Sequence, residues 1–153
     1  MKTAYRVFAY LIALEVAIQA SAVAFAFFGL GKWIDDGNTL DKAAIEAQDL
    51  SFTGSVGFMI HGLNGMMVIP LIALIFLIFS FFAKVPGGDK WAAFVLLAVV
   101  VQVMLGVFAH ETPQLGALHG VNALILFSLA VMAGMRVSRV TRSTESAQER
   151  EFV

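Results

Sequence analysis

The sequence predicts an all-α integral membrane protein, a four-helix transmembrane bundle built from two repeated helical hairpins. Three observations lead there. The 153 residues are 59 % hydrophobic and only 14 % charged, a balance suited to a chain whose solvent is lipid. Four apolar runs, near 5–31, 56–83, 91–110 and 114–135, reach the roughly 20 residues needed to cross about 30 Å of hydrocarbon. The motif His-Gly-x-Asn occurs twice, as His61-Gly62-Leu63-Asn64 and His119-Gly120-Val121-Asn122, each time opening an apolar run.

The first run follows Lys2 and Arg6 and is longer than the 7–15 apolar residues typical of a signal peptide, so it reads as a retained helix. The 32–55 loop, with Asp35, Asp36, Asp41, Glu46 and Asp49, leads into the second helix. Pro70 lies inside that helix, frees the carbonyl of Met66 and predicts a kink. Pro86-Gly87-Gly88 forms the turn to the third helix. A short turn with His110, Glu111 and Pro113 joins the third to the fourth. Residues 1–135 thus make the bundle, and 136–153 a short tail, helical or disordered.

Basic residues set the predicted orientation. Lys2, Arg6, Lys84, Lys90, Arg136, Arg139, Arg142 and Arg150 fall on one side, and only Lys32 and Lys42 on the other. The positive-inside rule then puts both termini in the cytoplasm of a multi-pass protein of the cell (inner or plasma) membrane. The arginines of the tail either touch anionic headgroups or simply signal topology. A net charge of −1 gives no footprint for nucleic acid. The absence of cysteine excludes disulfides, thiolate metal sites and c-type haem attachment.

The chain holds three histidines and three asparagines, and the doubled motif takes two of each. His61 and His119 each fall about five residues inside their helix, roughly 7 Å down at 1.5 Å per residue. Asn64 and Asn122 stand one turn further along nearly the same face. Gly62 and Gly65 on one helix, and Gly120 and Ala123 on the other, leave room for a backbone or a flat ligand. Diagonal helices of a square bundle stand roughly 12–14 Å apart, about the span of two imidazoles with a macrocycle between them. Iron on one nitrogen and a hydrogen-bond acceptor on the other would satisfy each ring. Bis-imidazole haem b, serving electron transfer or cofactor holding, is the chemistry this pattern predicts. The plainer reading makes the motif a helix-packing device in an accessory subunit of a larger membrane complex.

Gln19 and Gln102 occupy comparable depths in the first and third helices, which with the doubled motif implies an internal repeat about an axis along the membrane normal. Glu15, one turn from Gln19, is an intramembrane carboxyl. It serves proton relay or cofactor contact, or makes an interhelical hydrogen bond to Gln102 or a carbonyl. His110 is either a third imidazole for zinc or copper, with Met59, Met66 or Met67 as soft ligands, or a solvated helix-terminal residue.

The stretch Gln102-x-x-Leu105-Gly106 to Pro113, then Leu118-His119 and Ala123, resembles one four-helix half of heme A synthase. Helices one and two share the likeness only through His61 and the Gln19 region. The resemblance implies that His61 and His119 are the axial pair of a half-bundle, with haem toward the outer face. That family is eight-helical. Its catalytic half has a glutamate four residues before the first histidine, where this chain has Gly57, and a cysteine pair absent here. The implied likeness is therefore to the cofactor-holding half and not to a haem-oxidising enzyme. The chain also resembles small four-helix bacterial membrane proteins of unknown function, mainly actinobacterial, which supplies a topology. Besides the lipid bilayer, a homodimer imitating the eight-helix arrangement, or a larger complex, is the partner this implies.

Overall fold

The computed structural model describes residues 1–46 and 51–151, with side chains described except at 44, 46 and 138–151. Asp49, and the side chains of Glu46, Arg139, Arg142 and Arg150, lie outside the described residues. Helix α1 runs Lys2–Asp35 and ends where Gly37 takes a positive φ of 93°. Its last turn outlasts the apolar run because Lys32 Nζ reaches both carboxylate oxygens of Asp36, at 2.8 and 2.9 Å. A one-turn helix, α2 (Lys42–Glu46), lies in the loop that follows.

The second span, Val56–Phe82, is continuous but not uniform. It comprises α3 (Val56–Leu63), a π-helical turn at Asn64–Val68, and α4 (Ile69–Phe82). The physical cause sits at Pro70, which has no N–H for the carbonyl four residues back and whose ring crowds it. The helix answers by widening: Ile69 N–H bonds the Asn64 carbonyl five residues back. The predicted irregularity is therefore a π turn beginning at Asn64.

Gly87, at φ +66°, opens helix α5 (Gly88–Phe108). Helix α6 runs Gln114–Glu151 without a break at the expected boundary near 135, since no glycine or proline follows Gly134 to end it. Among the described residues four helices, counted by the spans Lys2–Asp35, Val56–Phe82, Gly88–Phe108 and Gln114–Val137, are long and apolar enough to cross a membrane. Their outward faces are apolar too: Phe28 is 84 % exposed and Leu124 70 %.

Helix α1 packs against α6, α3 and α4, while α5 packs against α4 and α6. The second and fourth spans are thus diagonal partners, as are the first and third. The core lies toward the end carrying the termini, around Tyr5, Ile12, Phe76, Val95, Val99 and Leu126. Tyr5 sets its ring 4.7 Å from that of Phe76 and donates its hydroxyl to the Gly88 carbonyl at 3.1 Å. Arg136 ties α6 to the turn before α5, donating to the Pro86 carbonyl at 2.9 Å with its guanidinium 5.4 Å from the Trp91 ring.

Packing changes along the bundle. Toward the long loop, no residue of α5 after Val99 and none of α6 before Leu126 is buried. There α1 and α3 remain in close contact through small residues. A Cβ at Gly57 would run into the Ala22 carbonyl oxygen, and one at Gly54 into the carbonyl of Phe25. Helix α3 makes its main interhelical contact with α1. The bundle is filled at one end and open at the other.

Candidate functional site

His61 lies five residues into α3 and His119 five into α6, so equal positions on diagonal helices bring both imidazoles toward the bundle axis. Their ring centroids are 6.0 Å apart and their planes inclined by 63°. Both rings are half-buried and stand where the core gives way to the open end.

Each ring is held at Nδ1. His119 Nδ1 lies 3.0 Å from the carbonyl oxygen of Gln102, so the proton sits on Nδ1 and Nε2 carries the lone pair. Gly106, one turn along α5 from Gln102, makes the seat for that ring. A Cβ there would stand 3.1 Å from Cε1 and 3.2 Å from Nδ1 of His119. The side chain of Gln102 is engaged elsewhere. Its Oε1 accepts from Asn122 Nδ2 at 2.7 Å, and Asn122 donates as well to the Ala98 carbonyl at 2.9 Å.

His61 is held by a side chain where His119 is held by the backbone. The amide of Gln19, oriented so that donors meet acceptors, gives its nitrogen to His61 Nδ1 at 2.6 Å and to the His61 carbonyl at 3.1 Å. Its oxygen accepts from Gly65 N at 3.0 Å and from Asn64 Nδ2 at 3.1 Å. In a regular helix the Gly65 N–H would itself meet the His61 carbonyl. The Gln19 amide spans these two groups at the start of the π turn, where the His61 carbonyl also accepts from the Asn64 N–H. Asn64 completes the arrangement by donating to Glu15 Oε2 at 2.7 Å.

The structure therefore brings together His61, Asn64, Gly65, Glu15 and Gln19 on one side, and His119, Asn122 and Gln102 on the other, with the two rings between. Glu15 bonds Asn64 rather than Gln102. Among the described residues, no buried side-chain polar atom lacks a partner. A Cβ at Gly62 or at Gly120 would meet nothing within 4 Å, so these two glycines border open space rather than a packed neighbour. Gly65 instead faces the Gln19 amide at 3.6 Å. His110 is exposed in the turn after α5, and among the described residues no three of His, Cys, Asp and Glu gather to hold an ion. Gly106, part of the Gln102-x-x-Leu105-Gly106 stretch, proves to be the seat of the His119 ring. The Ala98 carbonyl as an acceptor carried no signal in the sequence beyond its place four residues before Gln102.

Two imidazoles bound on opposite sides of one metal at about 2.0–2.1 Å per bond would have ring centroids roughly 6 Å apart, close to the observed 6.0 Å. His119 is already in the tautomer a ligand needs, with Nε2 free to bind. His61 fits in position, and its Nδ1 must become the donor for its Nε2 to ligate.

No family model, no curated protein and no solved structure matches this chain.

Proposed function

We propose that this protein lies in the cell membrane with both termini in the cytoplasm and holds one b-type haem between His61 and His119 near the outer leaflet. The observation that carries this reading is the 6.0 Å pairing of two imidazoles from diagonal helices. When bound, a haem held by both histidines would supply one-electron transfer, with no position open while both are bound, suited to electron relay or to holding haem for a partner.

The chain's own residues do the rest. Gln102 and Gly106 aim the His119 ring, and Gln19 meets His61 while bracing the helix turn that carries it. Asn64 and Asn122 use their amides to hold the two glutamines in place. In each half a glutamine of the leading helix meets the His-x-x-Asn face of the following one, which supports reading the halves as an internal repeat. The likeness of the 102–123 stretch to the cofactor-holding half of heme A synthase supports the same assignment. Basic residues at the termini end support the orientation.

A structural reading competes, and one observation favours it: the Gln–His–Asn contacts close on themselves without any ligand, as a packing device in an accessory subunit would. A three-histidine zinc or copper site has no such support, because His110 stands apart. Expressing the full chain with a haem precursor and measuring haem per chain after purification in detergent decides between them. A ratio near one supports the cofactor reading; a colourless, well-folded protein supports the structural one.

A further inference from the structure

Resting on the haem reading above, we propose that the two histidines hold the iron unequally. His119 is the fixed ligand. His61 is the one that leaves, opening a position on the α3 side for a small uncharged ligand such as a diatomic gas or free imidazole.

Two independent observations carry this. The first is the partner of each Nδ1. A backbone carbonyl receives the His119 proton at 3.0 Å, and a carbonyl only accepts, so this ring keeps the ligating tautomer at all times. His61 Nδ1 faces an amide that is otherwise satisfied only with its nitrogen toward the ring. For His61 to ligate through Nε2, Nδ1 must carry the proton and the Gln19 amide must turn over. Its oxygen would then face the His61 carbonyl, and its nitrogen would face the Gly65 N–H and the Asn64 amide nitrogen. Of the four contacts one is kept with its direction reversed and three are set like against like, which costs free energy each time His61 binds.

The second observation is the mounting of the helices. Helix α6 packs against both α1 and α5, whereas α3 leans mainly on α1 and joins α4 through the π turn. The His61 segment has one main wall to move from.

Release of His61 would break its bond through Nε2, and the incoming ligand would form one bond in its place, with no electron transferred. The proton on Nδ1 of His61 moves to Nε2 as the Gln19 nitrogen returns to Nδ1, so no net proton is taken up or lost.

The test is carbon monoxide binding to the dithionite-reduced, haem-loaded full chain, followed by absorption. In the unsubstituted protein the rate should rise with carbon monoxide and then saturate, because departure of His61 limits it. His61→Ala should retain haem and bind without saturation, whereas His119→Ala should lose haem. Gln19→Glu offers only acceptors, favours the proton on Nδ1, and should slow binding by about tenfold or more. If that variant misfolds, the saturating rate and the contrast between the two histidine variants still decide. A low-spin haem inert to carbon monoxide, or His119→Ala as the haem-retaining and reactive variant, overturns the inequality. An unchanged rate in a haem-loaded Gln19→Glu protein does so too. Absence of haem from the unsubstituted protein overturns the haem reading beneath it, a result distinct from these.

Discussion

Gln19 and His61 share a contact that is also a repair: one amide holds the imidazole at Nδ1 and bridges the His61 carbonyl to the Gly65 N–H across the π turn. Helix geometry and ligand geometry are thereby coupled at a single residue. A change at Gln19 should alter the shape of the second span as well as the state of its histidine.

Replacing Gln19 with leucine removes that amide and leaves the Gly65 N–H and the His61 carbonyl to find each other. We expect a loss of about 1–3 kcal/mol for polar groups left unmatched, read as a lower melting temperature in detergent. A melting temperature unchanged from the parent would show that the inserted amide contributes little.

Asn122 satisfies both the Gln102 side chain and the Ala98 carbonyl. Asn122→Ala should destabilise the protein by about 1–3 kcal/mol. Glu15→Gln, which keeps an acceptor for Asn64, should stay close to the parent in the same assay. A large loss in Glu15→Gln would instead mark the carboxyl itself as required.

Gly57 and Gly62 are five residues apart on one helix and should respond oppositely. Gly57→Val drives a side chain into the backbone of α1 at Ala22. Overpacking of that kind costs on the order of 1–3 kcal/mol or more. Gly62→Ala meets open space and should be neutral. Equal losses in the two variants would contradict the described approach of α1 and α3.

The proposed orientation can be read by labelling, because the chain has no cysteine of its own. Thr39→Cys, in the long loop, should react with a membrane-impermeant thiol reagent applied to intact cells, and Ser143→Cys should react only after lysis. The reverse pattern would place the histidine pair near the inner leaflet.

Much of this architecture was legible from residue order because four runs long and apolar enough to cross a membrane stand out in it, with Glu15 the charged residue deep inside one of them. The pairing of His61 with His119 was legible from repetition, and the matched depth of Gln19 and Gln102 pointed to where they act. What hydropathy does not reveal is which apolar face packs inside the bundle and which faces outward, since both are equally apolar. That is why the open end, the reliance of α3 on α1 and the seat at Gly106 appear only in three dimensions. The π turn was half legible: Pro70 marks a disturbance, but that the helix answers with a π turn at Asn64–Val68, met at its start by Gln19 from another helix, appears only in three dimensions. The tail beyond 135 lacks a breaker, so its loss of hydrophobicity did not end α6.

Ligation of one haem by both His61 and His119 is open to a single spectroscopic experiment. Absorption spectra of the purified parent, His61→Ala and His119→Ala proteins would be recorded oxidised and then reduced with dithionite. The parent should show a low-spin Soret shift and a sharp reduced α-band, and both variants should lose that six-coordinate signature. A parent protein that stays colourless when haem is supplied, or a low-spin spectrum that survives either substitution, would refute the ligation proposed for this pair.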